Sequence, residues 1–457
     1  MKPMFRLLVR GLVVLMLAAA GIAQPVAAAP QDGRGPAASE PGEPVPEPAE
    51  AEAGESEAGS AIEEQQADIE ELERRIEVLA EEIERLRSGE PDVEVTVDAA
   101  RALGLAPSAA ATYGIERGVS IAGYGEMLLE NYASDKTTQF DYLRLILYAG
   151  YRFNDKFIFN SEIEVEHANE IFVEFAYVDW LAHENFGVRG GMLLIPMGLV
   201  NEFHEPNVFI GAERPVTEQA IIPSTWRENG GGVYGSAGDI VAYRAYAVNG
   251  LKGANFSSSG VRGGRQKGAR AQAEGMAFTG RVDITPTPGV FFGGSFYVGN
   301  SGQGAISVND VNYGVRTSIF DLHGQAQFRG LDVRALFAQA KLDDTAELNQ
   351  YLGLVGAGGV GEKMQGGYIQ VGYDVLSQVP EAGGVGLTPY IRYEKVDTQA
   401  AVAAGFARSP SRNNTYTTFG VELKPISSIV VKVDHMWVDN DAGSGINQFN
   451  ISVGYAF

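Results

Sequence analysis

The stretch F-N-S-E-I-E-V-E-H (159–167) places Glu162, Glu164 and Glu166 at alternate positions, with Ile163 and Val165 between them. Successive side chains of a β-strand point to opposite faces, so one face of this strand is acidic and the other apolar. A soluble sheet could turn the acids to bulk water. A membrane barrel would turn them to its lumen and present Ile163 and Val165 to lipid. The rest of the chain decides between the two.

The chain ends in N-Q-F-N-I-S-V-G-Y-A-F (447–457). Phe449, Ile451, Val453, Tyr455 and Phe457 share one face, and Asn450, Ser452, Gly454 and Ala456 the other. Sixteen such segments run from about residue 118 to the last residue, most of them about ten residues long, the length of a tilted membrane strand. The connections alternate as well. Those near 154–156, 182–185, 236–239, 285–289, 329–331 and 425–427 are tight and rich in turn residues. Those at 131–140, 197–229, 250–276, 300–310, 343–365, 398–413 and 439–446 are longer, and only the one near 168–169 is short on that side. The expected fold is all-β, a sixteen-stranded antiparallel transmembrane β-barrel over residues 118–457. An even strand number leaves both barrel ends on one side, the periplasmic one.

The 457 residues carry a net charge of −23 and no cysteine. Disulfides and thiolate metal sites are excluded, and nucleic acid is an unsuitable partner. Lys2, Arg6 and Arg10 precede an apolar run from Gly11 to Ala20 that is too short to span a bilayer, and small residues follow. Residues 1–28 are expected to be a signal peptide, cleaved after Ala28 or Ala23 more readily than before Pro30. Residues 29–60, rich in Pro, Ala and Glu, read as a disordered acidic linker. In 61–88, Ile62, Ile69, Ile76 and Ile83 recur every seven residues, with Gln65, Leu72, Leu79 and Leu86 three residues after each. This is a coiled-coil seam whose Ile/Leu pattern nominally favours two strands. Residues 89–117 read as a spacer.

Strand parity places basic residues inside as well: Arg144, Arg189, Arg244, Arg281, Arg316, Arg392 and Lys432, together with Glu162, Glu164 and Glu166. They form either a charged lining that selects ions or cross-strand pairs that stiffen the wall. The loop 197–229 has no strand of its own and carries Leu199, Phe203, Phe209, Ile210, Ile221, Ile222 and Trp226. It is expected to fold into the barrel, with Glu202, His204, Glu205, Arg214, Glu218, Arg227 and Glu228 at a constriction; a cap packed on other loops is the alternative. Arg262, Arg265, Lys267 and Arg270 form a basic cluster in the next long loop, either a collector of anions at the mouth or a solvated surface. No G-x-S-x-G or H-E-x-x-H motif occurs, and N-E-F-H-E around His204 matches no metal-binding spacing. No catalytic residue, cofactor or metal is expected.

The barrel resembles the phosphate-selective outer-membrane porins of the O and P type, within the general trimeric porins. The residues that carry the likeness are I-A-G-Y-G-E (121–126), S-E-I-E-V-E-H (161–167), N-E-F-H-E-P (201–206), T-P-Y-I-R-Y-E (388–394), G-V-E-L-K-P (420–425) and V-V-K-V-D (430–434). The resemblance implies a sixteen-stranded homotrimeric pore with an infolded third loop. Phosphate-selective members carry lysine and arginine ladders, whereas few of the inward bases here are lysines and residues 113–457 have a net charge of −10. The expectation is a porin in the outer membrane of a Gram-negative-type bacterium. It would pass small hydrophilic, charged solutes, ions or anions, with its N-terminal coiled coil in the periplasm, free to touch the cell wall. The rival expectation is a barrel plugged by its own loop that tethers the membrane through that coil.

Overall fold

A computed structural model of the chain describes Arg74 and residues 97–457, apart from 135, 136 and 239. The predicted signal peptide and acidic linker, and the coiled coil apart from Arg74, fall outside those residues.

Sixteen strands close an antiparallel barrel. They are β1 Gly118–Tyr132, β2 Gln139–Arg152, β3 Phe157–Glu166, β4 Glu170–His183, β5 Phe186–Leu194, β6 Arg227–Ala237, β7 Val241–Asn249, β8 Met276–Thr287 and β9 Val290–Asn300. A small hairpin of β10 Ser307–Val308 and β11 Val311–Asn312 follows. The barrel resumes with β12 Arg316–Phe328, β13 Leu331–Leu342, β14 Lys363–Tyr373, β15 Gly386–Ala401, β16 Asn413–Ile426, β17 Ile429–Asn440 and β18 Gln448–Ala456. Every strand pairs with its sequence neighbour in the wall, and β1 pairs with β18 to close it, so no edge is left unpaired. Connections at one rim, here the turn end, are short except for residues 374–385. Those at the opposite rim, the loop end, are longer except for the turn at 167–169.

The outer surface is apolar around the wall: Phe140, Ile171, Phe278, Phe296, Leu322, Ile369, Ile391, Phe419 and Trp437 are all exposed. A continuous apolar girdle of this kind is the lipid face of a barrel and far exceeds what a water-soluble surface carries. Ile163 lies on this face, and the inward partners Glu162 and Glu164 are buried. Phe457 closes the seam through reciprocal backbone hydrogen bonds with Gly123, each 2.8 Å.

The interior is filled. Residues 195–226 leave the loop end between β5 and β6 and pack inside, carrying helix α3 Thr217–Ala220. The stretch 97–117, within the predicted spacer, also lies against the inner wall. It holds helices α1 Val97–Leu103 and α2 Pro107–Ala110 and a 3-10 turn, Ala111–Tyr113. Asn160 of β3 donates to the Ala109 carbonyl at 2.8 Å, and Arg189 of β5 donates to the Leu103 carbonyl at 3.1 Å. A segment just before the first strand therefore occupies the barrel interior as well as the infolded loop.

Candidate functional site

The inward charges are paired across the wall. Arg144 of β2 meets Glu126 of β1 at 2.7 Å, and Arg189 meets Asp179 of β4 at 2.9 Å. Arg244 of β7 and Arg281 of β8 both bond Asp283, at 3.0 and 2.7 Å. Glu202 from the infolded loop faces the same two arginines, 3.2 Å from Arg244 and 3.6 Å from Arg281. His323 of β12 completes this network between Asp283 at 2.9 Å and Asp321 at 2.5 Å. Buried charges require such pairing, because desolvation otherwise costs several kcal/mol per ion.

Arg392 and Lys432 act differently: they hold the loop backbone. Lys432 donates to the Phe209 and Gly211 carbonyls at 2.9 and 3.0 Å, with its ammonium 3.8 Å from the centre of the Phe209 ring. Arg392 donates to the Glu213 carbonyl at 3.1 Å, and Asp434 accepts from Ala212 N–H at 2.8 Å. At the loop's entry, Glu218 accepts from the N–H groups of Leu199 and Val200 at 2.8 Å and from the Tyr368 hydroxyl at 2.6 Å. Glu205 accepts from Ser108 of α2 at 3.1 Å, joining the two internal segments.

Three sequence expectations are corrected. Arg316 is exposed at the loop-end start of β12; its neighbour Thr317 is the buried, inward residue. Arg227 and Glu228 are the first residues of β6, not part of the loop, because the wall begins three residues earlier than the alternation implies. Arg227 pairs with Glu174 at 2.7 Å, while Glu228 accepts from Asn249 at 2.6 Å and from Gln266 N–H at 2.8 Å. Glu166, at the end of β3, is only half-buried.

Glu174 is the residue that alternation misses. The β3–β4 register slips between Glu162 and Ile163, which pair with Phe175 and Val173 and leave Glu174 as an extra residue. A β-bulge of this kind reverses the inside–outside parity and re-aims a side chain. Ile171 and Val173 point out before it, Val178 and Trp180 point out after it, and Glu174 and Phe175 are both buried. Glu174 thereby reaches His204 of the loop at 3.0 Å, and Glu162 reaches the same ring nitrogen at 3.3 Å.

Two cavities border the infolded loop. One of about 480 Å3 lies towards the turn end, between Val208 and Ile210 of the loop and the residues around the 329–330 and 374–386 turns. The other, of about 140 Å3, lies towards the loop end, against Phe209, Ala212 and Glu213. Consecutive loop residues thus line different cavities, and residues 208–213 form a septum between them. The basic cluster of the fourth long loop borders the second cavity through Arg262. Burial, then Arg265, then Arg214 press Arg262 down to about 9, and Arg265 donates to the Ser224 and Thr225 carbonyls at 3.0 and 2.7 Å. Arg270 is exposed. Glu213, on the septum, is pushed up to about 8 by burial and then by Glu130 and Asp434.

A closed sixteen-stranded barrel with an apolar exterior and a charged interior defines a membrane-type β-barrel protein. Over 353 residues the chain is 37% identical to a protein of Aquifex aeolicus (strain VF5) described as an uncharacterized protein, an alignment covering 74% of this chain and 79% of that one. The chain belongs to the family of that protein. No family model matches it. Among solved structures it is similar to OmpF of Salmonella typhi in complex with daunomycin (14% identity, 74% of this chain and 97% of that one, TM-score 0.49). It is also similar to the loop L8 deletion mutant of OmpT of Vibrio cholerae (15%, 75% and 100%, 0.48) and to the anion-selective porin of Comamonas acidovorans (14%, 75% and 100%, 0.47).

Proposed function

We propose that this barrel is an outer-membrane channel of the porin type that passes small hydrophilic, charged solutes down their gradient, with the loop septum as its constriction. The observation that carries this reading is that residues 208–213 line two cavities, Val208 and Ile210 the turn-end one and Phe209, Ala212 and Glu213 the loop-end one. A barrel serving only as a wall would have no need of a polar vestibule on each side of a hydrogen-bonded partition. The turn-end cavity is lined by five basic side chains (Arg101, Arg281, Arg329, Arg334 and Lys424) against three acidic ones (Asp332, Asp374 and Glu422). Arg281 pairs with Asp283, Arg334 with Asp332 and Lys424 with Glu422, so the lining is a mixed charged surface suited to small charged solutes. Kinship with the phosphate-selective porins, the homotrimer and the periplasmic placement of the predicted coiled coil belong to this same proposal, without the phosphate preference, since few of the inward bases are lysines.

The experiment is passage of small anions and cations into proteoliposomes made with the full chain. Entry of small ions supports the reading, and the ratio of anion to cation entry reports which wall charges dominate. No entry of either, from barrel shown to be folded, sinks it.

One observation favours the plugged-tether reading: the segment 97–113 lies inside the barrel, with Leu105, Ala109 and Ala110 buried. Removing residues 97–113 separates the two. A channel that is open beforehand gains little, whereas a plugged barrel conducts only after the removal.

A further inference from the structure

Glu162, Glu174 and His204 each offer a ligand atom within 4.8 Å of the other two, and all three side chains are buried. They come from three separate stretches: β3, the bulge of β4 and the infolded loop. Their separations from His204 Nε2, 3.3 Å to Glu162 and 3.0 Å to Glu174, match the edge of a coordination shell. Ligands at roughly 2.1 Å from a common ion lie about 3.0–3.4 Å apart in octahedral or tetrahedral arrangement.

The surroundings are built as a metal site requires. His204 Nδ1 lies 2.9 Å from the Asn201 backbone carbonyl, which can only accept, so Nδ1 carries the proton and Nε2 faces the carboxylates. Asn201 is itself fixed, donating to the Ile195 and Trp226 carbonyls and accepting from Trp226 N–H at 2.6 Å. Arg227 holds the other oxygen of Glu174 at 2.7 Å. Glu162 Oε2 is buried with no hydrogen-bond partner among the described residues. Such an orphaned oxygen in a dry site is costly unless a cation or proton meets it.

Charge points the same way. Glu164 lies beside Glu174, so three carboxylates share this corner; Arg227 bonds Glu174 directly, while Arg144, bonded to Glu126, and Arg214, Arg262 and Arg265 act on the cluster through space without bonding Glu162. A proton on Nε2 satisfies one carboxylate oxygen at a time. A divalent ion serves both carboxylates at once. Glu164 also lines the loop-end cavity, which supplies an entry path.

We propose that Glu162, Glu174 and His204 bind one divalent transition-metal ion of the Zn2+ class, joining the infolded loop to the barrel wall. The mixed imidazole and carboxylate donor set suits Zn2+, Mn2+, Fe2+ or Co2+ better than Ca2+ or Cu+. The site does not depend on conduction and would stand if the channel reading failed.

The test titrates Co2+ into untagged, chelator-treated, folded full-length barrel in detergent, read by visible absorption and by calorimetry, with Zn2+ as competitor. The expected result is one equivalent bound per chain, displaced by Zn2+. His204→Gln and Glu162→Gln should each weaken binding by more than the ~10–100-fold typical of losing an outer support. Two variants are used so that poor folding of one leaves the other decisive. Absence of stoichiometric binding to folded wild-type protein overturns the proposal, as does unchanged affinity in either folded variant.

Discussion

Lys432 Nζ donates to the Phe209 carbonyl at 2.9 Å, reaching from β17 to the middle of the septum with no exposed surface of its own. Its second bond, to Gly211, places one ammonium on two carbonyls of the septum. Lys432→Met keeps the apolar stem but leaves both oxygens without that donor. Each unmade buried bond costs about 1–3 kcal/mol. Backbone hydrogen exchange at 208–213 should rise by roughly tenfold or more, while exchange within the wall strands stays unchanged. Equal protection in the variant would show that Lys432 does not hold the septum.

Glu213 makes the same partition pH-sensitive. Burial, Glu130 and Asp434 raise its folded pKa to about 8, above an unfolded value of 4.5. The folded state therefore holds the proton more tightly than the unfolded one. Its stabilisation is complete below about pH 4.5 and is lost as pH rises through 8. Above that, an ionised Glu213 faces Glu130 and Glu126 of β1 and Asp434 of β17, with Arg214 beside it in the loop. Raising the pH from 7 to 9 should speed hydrogen exchange at 208–213 beyond the intrinsic chemical increase, and Glu213→Gln should remove the excess. Identical pH profiles for the two proteins would dismiss Glu213 as the group responsible.

Glu218 and Gly198 fix the loop's entry together. Glu218 accepts from two backbone N–H groups and Tyr368. Gly198 has φ +72, and a Cβ there would run into the Glu218 carboxylate. Glu218→Ala should destabilise by about 3 kcal/mol and Gly198→Ala by about 1–3 kcal/mol, measured from urea midpoints in detergent. Both act on one turn, so the double variant should lose less than the sum. Strict additivity would show that they act at separate places.

The lipid face has its own test. Leu322 lies midway along β12 and is 61% exposed on the outer surface. Leu322→Arg should cost about 2–4 kcal/mol in bilayers, read by folding into vesicles. An unaffected folding yield and midpoint would remove Leu322 from the hydrocarbon zone.

Most of the wall was legible in the sequence because period-two alternation encodes which face each side chain takes. Ile163, Phe419 and the terminal Phe457 obey it, and so do Arg244 and Lys432 on the inside. Alternation fails where register fails. The bulge at Glu174 shifts parity by one residue and hides a buried carboxylate beside His204. Arg316 reads as inward only if β12 continues unbroken from residue 311, but the chain turns at 313–315 and the strand begins at Arg316 itself. The segment 97–117 carries little periodic signal, since its helices are short and rich in alanine. It is ordered by what it meets: Arg189, Asn160 and Arg244 all donate to its carbonyls. No local pattern announces a partner supplied by distant strands.

The most direct test of the channel is single-channel recording in a planar bilayer, comparing wild-type barrel with Lys432→Met in identical salt. The septum account predicts small discrete conductance steps for the wild type and larger or more frequent ones for the variant. Silence from both proteins, each shown to be folded and inserted, would contradict it.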